Sequence, residues 1–227
     1  MRGTDLIILR VGQLSALLFL ILLIPLHPYP GSFVIKAIPA IALAIVVFRN
    51  LKTLPGYLLL AGLLLSAAGD VILDLDRVRF FVGGLGAFLV AHCLFTASFF
   101  QHFRFSRARL PFALIVVVYS LAMGSLLQDI PVDKYLPVMI YIAAISIMVV
   151  ASIFVTPFSP WLVLGTVLFL MSDTIIAINK FIHPIPYSTI YNIGMYFLAL
   201  FVIVHGFLRA ADDVNSNDCR VCRRLLE

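Results

Sequence analysis

Polar residues are scarce along this chain and gather in short clusters that cut it into a series of apolar runs. The clusters read "HPYPGS", "RNLKTLPG", "DLDRVR", "HFRFSRARLP", "LQDIPVDKYLP", "TPFSP" and "NKFIHPIPYS". Each carries the prolines, glycines or charges that end a helix or turn a chain. Between them lie eight runs, at about 9–26, 33–48, 56–74, 80–100, 111–127, 136–155, 161–179 and 188–208. An α-helix needs roughly 17–25 mostly apolar residues to cross a bilayer, and these runs are of that length. The pattern predicts an all-α polytopic membrane protein, a bundle of eight transmembrane helices over 1–210 with a short polar tail over 211–227. Short loops make consecutive helices antiparallel neighbours.

Composition agrees. The 227 residues are 63% hydrophobic and 12% charged, with mean hydropathy +1.11, where soluble domains carry about 45–50% apolar and about 25% charged residues. A single soluble core is excluded. The net charge of +5 fits loops that set orientation and touch anionic lipid, with no nucleic-acid partner needed. On one side lie Arg2, Arg10, Arg49, Lys52, Arg104, Arg107, Arg109 and Arg209; on the other, Arg77, Arg79, Lys134 and Lys180. The basic excess places both termini, and the tail, in the cytoplasm, as in a bacterial inner membrane or an endoplasmic reticulum membrane. The apolar run after Arg10 lacks a small-residue cleavage pattern, so no signal peptide is expected. Cys93 sits inside an apolar run, and Cys219 and Cys222 form a lone Cys-x-x-Cys in the tail. Without a second pair these read as reduced thiols, not as a disulfide framework or a zinc site.

A faint internal repeat runs through the pattern. The second and sixth runs open with Lys-x-x-Pro (Lys36 and Pro39, Lys134 and Pro137), and the third and seventh carry Asp70 and Asp173 at similar depth. Two four-helix halves in parallel orientation would produce this. At 1.5 Å per residue, both acids fall in the outer halves of their helices. Lys36 lies near the outer end of the second, His92 near the middle of the fourth, and Asn192 and Tyr196 in the outer half of the eighth. These groups can converge on one pocket. Ser66, Asp70 and Asp74 share a helix face, beside the small residues Gly62 and Gly69 that admit a close neighbour. Asp74 and Asp76 belong to the headgroup region, with water, Arg77 or Arg79 as partners. Asp70 lies deeper and must pair with a cation such as Lys36 or hold a proton. A purely structural role would make the two acids polar links between helices. An intramembrane zinc hydrolase wants about three His or mixed ligands at one depth, and of the histidines only His92 is clearly mid-membrane, His27, His102 and His183 being in loops. Nucleophile-elbow, Walker and dinucleotide motifs are missing from the sequence.

Three blocks, "LLSAAGDVIL", "FFVGGLGAFLVAHCLFTASFF" and "FLMSDTIIAINKFIHPIPYS", with "KAIPAIAL" before them, resemble the YhhN and TMEM86 family of eight-helical lysoplasmalogenases. The resemblance spans most of the chain from Lys36 to Tyr196. It implies cleavage of the vinyl-ether bond of lysoplasmalogens, with choline or ethanolamine headgroups, to a fatty aldehyde and a glycerophospho-headgroup. It also implies site positions at Lys36, Ser66, Asp70, His92, Ser172, Asp173, Asn179, Lys180 and Tyr196. One departure stands out: where the family often continues Tyr-Tyr-x-Ala-Gln, this chain reads "YFLAL", with Phe197 and Leu200 in place of Tyr and Gln.

The polar constellation suits that reaction. An enol ether hydrolyses by protonation at carbon, which needs a strong general acid, and a second, ionised carboxylate would steady the cation and activate water. Asp70 and Asp173 are the expected pair, with His92 beside them. Asp173 is the expected acid, because Asp70 is nearer Lys36. Lys36 and Lys180 would hold phosphate and the apolar lumen the alkenyl chain. The expected partners are a lysophospholipid and the surrounding lipid, with no metal and no cofactor. The competing function is a transporter or flippase for a lipid or organic anion, and a third is a membrane scaffold without catalysis.

Overall fold

Three of the helices carry a proline at their first or second position. Thr53 accepts from the Gly56 amide ahead of Pro55, and Ser159 accepts from the Leu162 amide ahead of Pro160. Such a side chain satisfies an amide that the helix leaves open, while proline has no amide to satisfy. Pro111 opens a third helix after a single 3-10 turn at Arg107–Arg109. The protein is described here by a computed structural model covering residues 3–26, 31–76, 79–127 and 130–224.

Eight α-helices occupy these residues: α1 Gly3–Leu26, α2 Ser32–Asn50, α3 Leu54–Leu75, α4 Phe81–Phe100, α5 Leu110–Leu126, α6 Val132–Ile153, α7 Pro160–Phe181 and α8 Ser188–Arg224. All eight, α5 together with the 3-10 turn before it, provide a stretch long and apolar enough to cross a membrane, as the run pattern predicts. α8 departs from the expectation at its end. Its apolar span is Ser188–Asp212, but the helix continues to Arg224 through the segment read as a tail. Arg2, His27 and Arg77 lie outside the described residues, as do the side chains of Cys219, Cys222 and the basic residues around them.

The widest contacts join α7 to α8 and α3 to α4, followed by α2 to α3 and α1 to α2. Between the halves, α2 packs on α8 and α4 packs on α6. The second helix of each half thus leans on the fourth helix of the other, a pairing that two parallel repeats would produce. Two of the loops are tied across the halves as well. The amide of Arg104 donates to the Phe154 carbonyl and that of Thr156 to the His102 carbonyl, each at 2.9 Å. Close approach between α7 and α8 depends on Gly206, where a Cβ would stand 2.3 Å from the Leu162 amide nitrogen.

The two halves differ in tightness. α6 meets α7 over a much smaller contact than α2 makes with α3. The main core, around Leu43, Leu63, Phe95, Met148 and Leu200, is dense, and a small separate cluster of Met123, Leu127, Ile130 and Val138 lies under α5. Leu114, Ile115, Val118 and Leu121 of α5 face outward, as do Leu6, Ile7 and Leu14 of α1. In a bilayer these faces meet acyl chains.

Candidate active site

The space left by the loose α6–α7 contact is a cavity of about 370 Å³, walled by α3 to α8 and reached by Lys36 from α2. Its lining is mostly apolar, with a few converging polar groups, which is the usual make-up of a small-molecule site. Asp70 and Asp173 both line it.

Asp70 is held from two helices. The Lys36 ammonium lies 3.4 Å from Oδ1, and the Tyr196 hydroxyl donates to Oδ2 at 2.6 Å. Lys36 and Asp70 are 3% and 2% exposed, so the lysine does not reach for the interface but forms a buried ion pair. One turn further along α3, Asp74 accepts the Ser32 hydroxyl, a protein partner where the sequence suggested water or a loop arginine. Asp76 does receive its partner from that loop, the Arg79 amide.

Asp173 is held differently. The Tyr141 hydroxyl donates to Oδ2 at 2.6 Å, and His92 Nε2 stands 3.9 Å from the same oxygen. Neither ring nitrogen of His92 has a hydrogen-bond partner among the described residues, although the ring is fully buried. Its faces are fixed instead by edge-to-face contacts with Tyr141 (5.2 Å) and Phe169 (4.8 Å). Phe169 in turn meets Tyr196 at 5.3 Å. An aromatic band of Tyr196, Phe169, His92 and Tyr141 therefore connects the surroundings of one acid to those of the other.

The repeat extends to these partners. Asp70 on α3 takes Lys36 from the preceding α2 and Tyr196 from the last helix of the other half. Asp173 on α7 takes Tyr141 from the preceding α6 and faces His92 from the last helix of the other half. The helices correspond, but the side chains do not. One acid has a cation and the other has none among the described residues.

The remaining expected positions divide. Ser172 and Asn192 line the cavity and are joined, the serine hydroxyl donating to the Asn192 carbonyl at 3.0 Å. Lys180 and Asn179 also line it, in the last turn of α7. The Lys180 ammonium lies 4.0 Å above the Phe81 ring, and Asn179 Oδ1 accepts from the Ile185 amide, shaping the α7–α8 turn. Ser66 is not brought to the cavity. It is fully buried and donates to the Gly62 carbonyl of its own helix. Leu200 is also away from the cavity, in the main core. Tyr141 went unmarked in the sequence, as did the pairs Tyr119–Thr174 and Ser120–Ser146 between α5 and its neighbours. Their one signal was a polar tip inside an apolar run, which needs a partner when buried. Among the described residues, no three His, Cys, Asp or Glu side chains are grouped to hold a metal ion.

The model of the YhhN family matches residues 31–207, which contain every residue of this cavity. A lysoplasmalogenase of Mycobacterium bovis is 36% identical over 132 residues, covering 55% of this chain and 50% of that protein. Lysoplasmalogenase TMEM86A of Bos taurus is 29% identical over 163 residues, with 68% and 67% covered. Lysoplasmalogenase TMEM86B of Mus musculus is 28% identical over 202 residues, with 86% and 84% covered. The chain thus spans about half the length of the mycobacterial relatives it matches. No solved structure matches it.

Proposed function

This chain belongs to the YhhN family, and from that premise we propose that it hydrolyses the vinyl-ether bond of alkenyl-lysophospholipids within the membrane. The names of its relatives support the substrate class. The observation that carries the chemistry is the unequal pair of carboxyl groups in one apolar cavity, each gripped by a tyrosine and only one facing a cation.

The unequal partners suit a division of labour. Asp70, beside Lys36, is the ionised member, and Asp173 is the proton donor. Asp173 gives its proton to the β-carbon of the enol ether, leaving an oxocarbenium ion opposite the Asp70 carboxylate. Water adds to the cation and passes its proton to Asp70, which forms a hemiacetal. In the collapse, Asp70 returns that proton to the departing glycerol oxygen, and Asp173 takes the proton of the hemiacetal hydroxyl. Aldehyde and alcohol leave, and both acids are as they began. The cycle consumes one water and needs no other reactant.

His92 fits the place of a water holder. A water at about 2.8 Å from both His92 Nε2 and Asp173 Oδ2 is compatible with their 3.9 Å separation and would give the buried ring a partner. The apolar wall receives the alkenyl chain, and Lys180 at the mouth receives the phosphate.

The test is to incubate purified full-length protein with alkenyl-lysophosphocholine or alkenyl-lysophosphoethanolamine, and with their acyl analogues, and to measure free aldehyde. Aldehyde from the alkenyl lipids is the expected result, and its absence from every lysolipid would sink the reading. The paired packing of the two halves is a pattern that transporters also use. Movement of intact lysolipid across proteoliposomes without aldehyde would favour that second reading.

A further inference from the structure

We infer that Tyr141 is the positioning residue that decides which oxygen of Asp173 carries the transferable proton. The inference rests on the reading of Asp173 as the proton donor. Tyr141 is buried on α6, lines the cavity, and donates its single hydroxyl hydrogen to Asp173 Oδ2 at 2.6 Å. An oxygen that accepts this bond is the carbonyl oxygen of the acid, so the acid proton resides on Oδ1. Oδ1 has no hydrogen-bond partner among the described residues, and Asp173 keeps 13% of its side chain exposed on the cavity wall. The proton is therefore presented to the cavity.

Without the phenol nothing fixes this choice. The terminal torsion of an aspartate is broad and nearly two-fold, so a released carboxyl would offer either oxygen. His92 cannot do the task, since its Nε2 is beyond hydrogen-bond reach of the same oxygen. The Tyr141 ring is itself held by its edge-to-face contact with His92. Chemistry at Asp173 thus depends on a hydroxyl that is bonded to this acid and not to Asp70.

Tyr141→Phe removes one oxygen and keeps the ring. In full-length protein in lipid nanodiscs, the infrared band of the Asp173 carboxylic acid is identified by its loss in Asp173→Asn. The expected result is a wild-type band that moves to higher wavenumber in Tyr141→Phe, because the carbonyl has lost a hydrogen bond. A band that stays in place, or no such band in the wild type, overturns the inference. In turnover of alkenyl-lysophospholipid, kcat should fall roughly 10–100-fold with KM within about twofold. The same substitution should cost nothing further in an Asp173→Asn background, whereas an additional loss there would mark a merely structural role. An unchanged kcat would also overturn the inference. The band shift in Tyr141→Phe, together with no aldehyde from the wild type, would overturn the functional reading and leave the Tyr141 anchor standing.

Discussion

Lys36 and Asp70 are almost fully withdrawn from solvent, so each charge relies on the other and on Tyr196. Removing one member of such a pair leaves a buried, uncompensated charge, which costs about 3–5 kcal/mol, while removing both is far milder. Lys36→Met should therefore lower the unfolding midpoint sharply, and Lys36→Met with Asp70→Asn should regain most of it, as read by thermal unfolding in detergent. This coupling also decides how the acids are tested. Asp173→Asn breaks no close ion pair, so its turnover can be compared directly with the wild type. For Asp70 the double variant is the fair comparison. Each should reduce aldehyde release at least about 100-fold, and wild-type rates in both folded proteins would refute the dyad. At this scale the sequence disclosed the acids because a carboxylate in an apolar run is conspicuous. It hid Tyr141, because a tyrosine in an apolar run looks like any core aromatic until its partner on another helix is known. It also misdirected at Ser66, since sharing a helix face with Asp70 says nothing of depth, and one turn further in the hydroxyl finds its own backbone. Leu200 is instructive in the opposite sense. The departure from the family pattern falls in the core, so it changes packing and not the groups presented to the cavity.

Elements were more legible than residues, because a bilayer sets the length of an apolar run and prolines or charges punctuate it. The end of α8 was not, since helix continues past the apolar span on backbone hydrogen bonds that composition does not report. How closely helices approach was only partly legible. Gly62 and Gly69 do admit a neighbour, with Phe95 and Phe88 of α4 over them, but the tightest backbone approach is at Gly206. There an added methyl meets backbone, which cannot swing aside. Gly206→Ala should cost about 1–3 kcal/mol through overpacking. Gly86→Ala on α4, with nothing within 4 Å of its Cβ position, should be neutral or slightly stabilising. Thermal midpoints of the two variants measured side by side would decide it, and equal losses would count against the packing argument.

At the scale of the whole molecule, the cavity lining reaches the end of the bundle where α4 and α8 begin and α7 ends, through Phe81, Ser188 and Lys180. The expectation from the distribution of Lys and Arg is that this end faces away from the cytoplasm. A reporter enzyme that works only outside the cytoplasm should therefore be active when fused after Lys180 and inactive when fused after Arg209. The reverse pattern would invert the molecule and place the mouth in the cytoplasm. The repeat, faint in the sequence as two Lys-x-x-Pro pairs, has a counterpart in the packing of α2 on α8 and of α4 on α6.

The order of those partners along the chain bears on how the protein enters its membrane. An aspartate inside a spanning helix adds to the cost of insertion, at most about 2.5–3.5 kcal/mol when it lies at the centre. Lys36 on α2 precedes Asp70 on α3, and Tyr141 on α6 precedes Asp173 on α7. During synthesis, each acid therefore emerges just after a helix that already carries a group to receive it, and neither has to wait for the other half of the chain.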